Sequence, residues 1–292
     1  MSRFVLLTTT GLAQGAIIAL IALGFLVISK ATGVVNFAQG DLVTLGAYVA
    51  LWAYADLDLP LGVAYGVAVV GLFMVGMVFE RLIYAPVRGR SVHVVVIATL
   101  GAALVIRALI VEWQGSQPKS LRGPFGLGGV VEIFGARIPK QNLLIIAVTA
   151  VLVAVLLYVF NKTQFGRQLR AIAVDRDTAR LQGIRAGLLS LLAFGISAAL
   201  SGVAGVLYAP TQSLTTSLGF GPMLFSFAAA ILGGFGRLGG VVVGALLIGL
   251  STQWLSGYLS PDFTDAYPFV IMLLAIALRP QGLFGSEVGT RV

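Results

Sequence analysis

Residues 142–160 read Asn-Leu-Leu-Ile-Ile-Ala-Val-Thr-Ala-Val-Leu-Val-Ala-Val-Leu-Leu-Tyr-Val-Phe, and residues 161–185 continue Asn-Lys-Thr-Gln-Phe-Gly-Arg-Gln-Leu-Arg-Ala-Ile-Ala-Val-Asp-Arg-Asp-Thr-Ala-Arg-Leu-Gln-Gly-Ile-Arg. The first piece has no charge over a length suited to crossing a hydrocarbon core of about 30 Å. The second carries Lys162, Arg167, Arg170, Arg176, Arg180 and Arg185. An uncharged run followed by an arginine-rich one is the signature of a membrane span leaving the bilayer on its cytoplasmic side.

Outward from this pair, the same alternation fills the chain. Further apolar runs fall near 4–29, 36–54, 61–83, 92–112, 187–209, 222–236, 239–258 and 267–279. Of the 292 residues 58% are hydrophobic and only 10% charged, and mean hydropathy is +1.00. A soluble domain of this length needs a charged shell that one residue in ten cannot supply. The expected fold is an all-α integral membrane protein of about eight transmembrane or re-entrant helices. It forms a single transmembrane domain over residues 1–292, with a cytoplasmic loop at 161–186 and an outer loop at 113–141.

The runs at 222–236 and 267–279 are short for a full crossing. The first ends in Gly233-Gly234-Phe235-Gly236, too glycine-rich for a continuous stable helix. Broken segments at membrane depth are tolerated where they face protein or a water-filled cavity, and they commonly mark transport routes. A loop between two ordinary short helices is the alternative.

Lysine and arginine in short loops set the orientation. The 161–186 loop, Arg81, Arg88 and Arg90, Lys30, Arg237, and the end with Arg279 and Arg291 fall on one side, the cytoplasm. Asp56, Asp58, Asp262 and Asp265 fall on the other. The outer loop 113–141 is a partial exception, with Lys119, Arg122, Arg137 and Lys140 beside Glu132. The N-terminus is expected outside and the C-terminus inside a bacterial-type inner membrane. The first run continues to Ile28, longer than a signal core, and is read as a retained helix.

The net charge of +8 is loop charge created by membrane topology, without the basic stripe or aromatic platform of a nucleic-acid binder. With no cysteine and one histidine, His93, thiolate and histidine-rich metal sites are excluded. His93 starts an apolar run beside a basic loop, which suits an interfacial role. The pairs Gly11/Gly15, Gly62/Gly66, Gly236/Gly240 and Gly240/Gly244 have the four-residue spacing that lets helices approach closely. Helix packing within one subunit is favoured for them over a dimer seam.

No nucleotide-binding loop is present: Lys30, Lys119, Lys140 and Lys162 follow Ser29, Pro118, Pro139 and Asn161 rather than glycine. If ATP drives this protein, another chain binds it. The spans also lack the carboxylate series of a proton relay. Asp41, Glu80, Arg107 and Glu112 are the candidate intramembrane charges. Glu80 sits at the cytoplasmic end with Arg81, and Arg107 is expected to snorkel outward towards Glu112.

Within 161–186, Asp175 through Leu181 fits a short helix with Asp175 as cap, Asp177 in its first turn and Gly183 as terminator. Such a helix can lie on the lipid surface or fit a groove on a cytoplasmic partner, and physics alone does not separate the two.

The pattern Gly166-Arg167-x-x-Arg170-Ala171-x-Ala173-x-Asp175-x-x-x-Ala179-x-Leu181-x-Gly183-Ile184 resembles the coupling loop of branched-chain amino-acid ABC permeases. Four further stretches resemble that family's LivH-type subunit. They are Gly33 through Asp41 (Gly-Val-Val-Asn-Phe-Ala-Gln-Gly-Asp) with Leu45-Gly46-Ala47-Tyr48, then Glu80-Arg81-Leu82-Ile83-Tyr84-Ala85-Pro86-Val87-Arg88. Ala230-Ile231-Leu232-Gly233-Gly234-Phe235-Gly236 and Arg279-Pro280-Gln281-Gly282-Leu283-Phe284-Gly285 complete the set. Together they span nearly the whole chain in the expected order. Two departures stand out. Gln39 and Asp41 occupy positions where the family often has histidine and glutamate, and Arg237 puts a cation where members often carry a smaller polar residue.

The resemblance implies an ABC importer permease of the LivH/LivM type, without a catalytic site or cofactor of its own. ATP and Mg are expected on two cytoplasmic ABC ATPase partners. A related LivM-type permease subunit and a periplasmic or lipid-anchored solute-binding protein complete the implied machine. Residues 166–184 are the expected ATPase contact. There Arg167, Arg170, Arg176 and Arg180 offer charge-assisted bonds to carboxylates, and Ala179 and Leu181 fill an apolar groove. Gly166, Ala171, Asp175 and Gly183 belong to the same ATPase-coupling set. The expected translocation path combines Asn36, Gln39, Gly40 and Asp41 with Gly233, Gly234 and Gly236. Asp41 has two readings, a helix N-cap near the cytoplasmic interface or a partner for an amino group. The substrate class implied is a branched-chain or other amino acid. The rival readings are a stand-alone channel or ion-coupled carrier for a small polar solute such as urea or an amide, and a membrane scaffold.

Overall fold

The computed structural model describes residues 2–126, 129–133, 135–279 and 282–284. Nearly every apolar run becomes a helix: α1 (Ser2–Thr32), α2 (Gln39–Ala55), α3 (Leu61–Phe79), α5 (Val92–Gln114), α6 (Lys140–Lys162), α9 (Ala186–Tyr208), α10 (Phe220–Gly233), α11 (Leu238–Tyr258) and α12 (Tyr267–Leu278). A π turn at Glu80–Tyr84 and the short α4 (Ala85–Val87) extend α3. The loop 161–186 folds into α7 (Gln164–Val174) and α8 (Arg176–Leu181). Six helices are long and apolar enough to cross a membrane, those built on α1, α3, α5, α6, α9 and α11, while α10 and α12 are shorter apolar helices.

The core sits around α1. This helix is apolar on all sides, so it is stable only where neighbours surround it. Leu20, Ile21, Leu26 and Val27 are completely buried. α9, α10, α11 and α6 enclose it. Gly11 and Gly15 face Gly249 and Leu250 of α11 closely enough that any side chain there would meet backbone, so small residues set the α1–α11 spacing. Gly240 and Gly244 do the same between α11 and α10, whereas Gly62, Gly66 and Gly236 meet nothing within 4 Å. The packing reading therefore holds for Gly11, Gly15, Gly240 and Gly244. At α3, α5 and α6 the apolar faces point outward, with Val70, Ile97, Leu104, Val151 and Val155 exposed as lipid-facing residues must be.

Antiparallel contacts sort the charges into two ends. Gly257 of α11 meets Leu7 near the start of α1, while Lys30 near the end of α1 bonds Gly236 just before α11. Lys30, the α3–α5 loop, α7, α8 and Arg237 share one end. The hairpin of β1 (Val130–Ile133) and β2 (Ala136–Pro139) lies in the 113–141 loop at the other. The sequence reading left that loop without strands. Its register pairs Val131 with Ile138 and Glu132 with Arg137, and the latter two form a surface ion pair at 3.3 Å.

One span differs from expectation. The 36–54 run does not start at a membrane end. α2 begins at Gln39 beside Ser197 and Ser201, 11 and 15 residues into α9. At 1.5 Å per residue the nearer of these is about 16 Å along that helix, roughly half of its length.

Candidate functional site

α1 ends at Gly33, whose φ of +75° suits glycine and whose N–H donates to Ser29 O at 2.7 Å. The chain then turns back into the bundle without helical structure up to Ala38. Irregular backbone at membrane depth must find protein partners. Asn36 Oδ1 accepts from Ala38 N at 3.0 Å, and Phe37 N donates to Thr99 Oγ1 of α5 at 3.4 Å. Asn36 is fully buried, and its Nδ2 has no partner among the described residues.

Gln39 follows, also fully buried. Its Nε2 donates to Ser201 Oγ at 2.7 Å and to Ser197 O at 3.3 Å, and its Oε1 accepts from Ser197 Oγ at 3.0 Å. Gly24 of α1 lies against the same amide, so no larger residue fits there. Two residues on, Asp41 is 4% exposed and accepts from Arg107 Nε at 3.0 Å. The snorkelling expected of Arg107 towards Glu112 is not what occurs. Helical side chains lean towards the N-terminus of their own helix, which carries the Arg107 head inward to Asp41 rather than outward. Its guanidinium lies 5.8 Å from the Phe220 ring centroid. Nε makes its only hydrogen bond among the described residues, while the side chain keeps 34% of its surface. The N-cap of α2 is Ala38, and the Asp41 carboxylate sits in the first turn at mid-depth, not at the cytoplasmic interface.

A second irregular stretch meets this one from the opposite side. After α9 and a short 3-10 turn (Ala209–Thr211), residues 212–219 descend from the outer end, where Leu214 pairs with Lys119. They arrive at Gly219, just before α10. Gly219 N donates to Thr44 Oγ1 at 3.0 Å, and a side chain on Gly40 would lie 2.8 Å from Gly219 O. α2 and α10 thus begin side by side inside the bundle and run towards opposite ends. Two helix N-termini, the Asn36 amide, the Gln39–serine clasp and the Asp41–Arg107 pair make this junction a dense polar site in an apolar protein. Its hydrogen-bond donors suit a carboxylate and its carboxylate suits a cation.

Gly233, Gly234 and Gly236 do not join this cluster. They form the turn from α10 into α11 near the cytoplasmic-loop end, with Gly234 at φ +85°, Gly233 against Gly240 and Gly236 O accepting from Lys30 Nζ at 2.9 Å. The break that meets Asn36, Gln39, Gly40 and Asp41 lies before α10. Of the Arg279–Gly285 motif, Pro280, Gln281 and Gly285 lie outside the described residues, as does Arg291. Glu80, 1% exposed, is tied to Arg88 across the π turn.

In the cytoplasmic loop, Gly166 sits directly on the Phe160 backbone, and Leu169 and Ile172 are buried, holding α7 to the bundle. Asp175 caps α8 as expected, accepting from Asp177 N at 2.9 Å and Thr178 N at 3.1 Å, with Thr178 Oγ1 donating to its second oxygen at 2.6 Å. The Thr178 hydroxyl first, then the two backbone N–H groups, hold the Asp175 carboxyl below its ordinary range. Gly183, at φ +81°, ends the helix, and Ile184 N bonds back to Ala179 O. Two assignments change. Ala179 is 4% exposed against its own subunit, so it is not free to fill a partner's groove. Arg170 turns back onto Phe160 O, and Arg167 reaches Lys162 O. Leu181 and Val174, 90% and 89% exposed, project freely with Asp177 and Arg180, an ion pair at 3.5 Å. Val174, the last residue of α7, precedes the Asp175–Leu181 helix read from the sequence. Ser197 and Ser201 escaped the sequence reading, although two serines four apart on an apolar helix are a readable signal. Arg176 is half-buried and Ala171 packs against the core.

At the outer end a cavity of about 1140 Å³ opens among α1, α6 and α11, with Thr10, Gln14, Gln141, Asn142 and Gln253 in its walls.

The model of the family "Branched-chain amino acid transport system / permease component" matches residues 7–276. The chain is 30% identical to the high-affinity branched-chain amino acid transport system permease protein LivH of Escherichia coli K12, covering 94% of this chain and 93% of that one. It is 30% identical to BraD of Pseudomonas aeruginosa, with 94% of each covered. Similarity extends to the permease protein LivM of Salmonella typhimurium, 27% identical over 90% of this chain and 67% of that one. A chain of PsaBC from Streptococcus pneumoniae in complex with Fab has the same fold, with a TM-score of 0.51 at 13% identity, covering 94% of this chain and 92% of that one.

Proposed function

The chain belongs to the family of branched-chain amino acid transport permeases, and from that premise we propose that an amino acid crosses the membrane past the junction where α2 and α10 begin. The chain is a permease subunit of an ABC importer and a multi-pass membrane protein. In the proposed machine a related LivM-type subunit completes the path, two cytoplasmic ATPases bind ATP and Mg, and a binding protein delivers the solute from outside. The chain contributes no catalytic site. Its N-terminus faces outward and its C-terminus inward, because Lys30, Arg88, the arginines of α7 and α8, and Arg237 gather at one end. The relatives named LivH and LivM support two related permeases side by side, and their names support a branched-chain substrate.

The observation that carries this reading is the Asp41–Arg107 pair. Arg107 keeps a third of its side-chain surface inside the apolar zone, and its charged head is too costly to leave in lipid. It must face water, solute or a partner, so the α2–α5–α10 face borders the path. Arg107 Nη groups suit a carboxylate and Asp41 suits an ammonium, the two ends of an amino-acid zwitterion. Force reaches this point from the cytoplasmic loop, where Leu181 and Val174 are the exposed apolar contacts for an ATPase groove.

Leu181→Asp tests the scheme. The side chain is 90% exposed, so folding and insertion should be unaffected. In proteoliposomes holding the assembled complex, ATP-driven uptake should fall at least tenfold while the variant chain inserts normally. Unchanged uptake, or gradient-driven flux through the isolated chain without ATPases, would overturn it.

A further inference from the structure

The α10–α11 turn leaves Arg237, singled out by the sequence and unused by the transport path, at the mouth of a second cavity. This pocket of about 310 Å³ lies at the cytoplasmic end, between the end of α6, the end of α1 and the start of α11. Lys30, Arg170 and Arg237 all line it, and no carboxylate does. Lys30 Nζ is held by Gly236 O at 2.9 Å, and Arg170 is held by Phe160 O. Both cations are therefore positioned by backbone carbonyls rather than neutralised. None of the three forms an ion pair among the described residues, although Asp175 and Asp177 lie in the same loop. Three like charges lining one cavity repel one another, and an anion between them relieves that repulsion.

The apolar part of the lining says where that anion comes from. Leu157 lies about one and a half turns deeper than Lys162, the last residue of α6, and Phe160 and Leu238 flank the cations. The outer face of α6 at this level carries exposed Val155 and Tyr158. Charge at headgroup depth beside apolar lining and an exposed apolar helix face is the layout that takes a phosphate with acyl chains attached. We propose that this pocket binds the phosphate of an acidic phospholipid of the inner leaflet, which ties the coupling helix α7, through Arg170, to α1 and α11. The role of Arg237 is to close the phosphate site.

The test uses the whole assembled permease complex in nanodiscs of neutral phosphatidylcholine with a small fraction of phosphatidylglycerol, read by native mass spectrometry of retained lipid. The wild type should hold phosphatidylglycerol in preference to phosphatidylcholine. Each cation near the surface is worth about fivefold in affinity, so Lys30→Gln with Arg237→Gln should weaken retention about 30-fold. Arg237→Lys should retain most of it, which separates loss of charge from loss of fold. Added inorganic phosphate at millimolar concentration should not compete. Competition by phosphate alone would assign the site to a free anion and overturn the lipid. Equal retention by the double variant, or no preference in the wild type with ATPases bound but preference without them, would also overturn it, the latter by giving the cations to an ATPase carboxylate.

Discussion

Arg107→Gln and Asp41→Asn should not be equally harmful, and their difference follows from burial. The Asp41 side chain keeps 5% of its surface and Arg107 keeps 34%, with Nε and Oδ1 3.0 Å apart. Removing Arg107 strands a carboxylate where water scarcely reaches, and breaking such a pair costs about 3–5 kcal/mol. Removing Asp41 strands a guanidinium that still reaches polar surroundings and keeps the Phe220 ring 5.8 Å away. The loss is then the net value of one charge-assisted hydrogen bond, about 1.5–3 kcal/mol, with the cation–π contact unchanged. In the double variant neither charge is left alone and two amides can bond each other, so it should be more stable than Arg107→Gln. The coupling energy of the cycle should be about 2–3 kcal/mol, within the range for residues in direct contact. The assay is thermal unfolding of the four purified proteins in one detergent, where each kcal/mol shifts the midpoint of a large domain by about 2–4 °C. Asp41→Asn proving more harmful than Arg107→Gln, or the two losses simply adding, would refute this account of the pair.

Gly219→Ala should destabilise by about 1–3 kcal/mol, the cost of overfilling a closed contact, because its Cβ would strike Gly40 O. Gly221→Ala, two residues on, meets nothing within 4 Å and should be neutral in the same melting experiment. The α8 cap has a defined pH dependence. The Asp175 pKa is depressed by folding, so its stabilisation is fully present above the unfolded value of about 3.9 and is lost as pH falls through the lower folded value. Amide exchange at Thr178 should show constant protection from pH 8 to 5, and weakening of protection already near neutrality would contradict the assignment.

The sequence carried most of the architecture because apolar length is a strong signal. The run at 142–160 became α6 over Lys140–Lys162, and the two segments read as short became α10 and α12. Local caps were equally legible: Asp175, Gly183 and the boundaries they set depend on neighbours within a few residues. Depth was not legible. The 36–54 run has the composition of a full span, and only the three-dimensional contact of Gln39 with Ser197 and Ser201 reveals that α2 starts halfway. Nor does a glycine run tell depth. Gly233, Gly234 and Gly236 form the turn from α10 into α11, with Gly233 and Gly234 buried, whereas the break before α10 holds Gly219 against Gly40 without a run around it. Arg107 was read by its distance along α5 to Glu112, while its partner comes from another helix.

The placement of Ser197 and Ser201 also explains how a cytoplasmic movement can be felt at the junction. α7 packs on α1 and α9, and α8 packs on the start of α9. α9 is an unbroken helix from Ala186 to Tyr208, so displacement at Ala186 reaches Ser197 without an intervening hinge. At that level both serines grip the Gln39 side chain, and Gly202 and Gly205 lie against Gly46 and Val43 O of α2. α9 and α2 therefore move as one body in the proposed mechanism. α10 is held differently, through Ser226 Oγ to Ile18 O of α1 at 3.0 Å and through the glycine contacts with α11. These two bodies meet along the α1–α9 packing and, between α2 and α10, at Gly40 and Gly219, where among the described residues Gly219 N donates to the Thr44 hydroxyl. The glycine contact between α2 and α10 has no interlocking side chains, so it is the part of this junction that resists displacement least, and Asn36 Nδ2, buried near it without a partner among the described residues, is the donor that a passing solute would satisfy in the proposed mechanism.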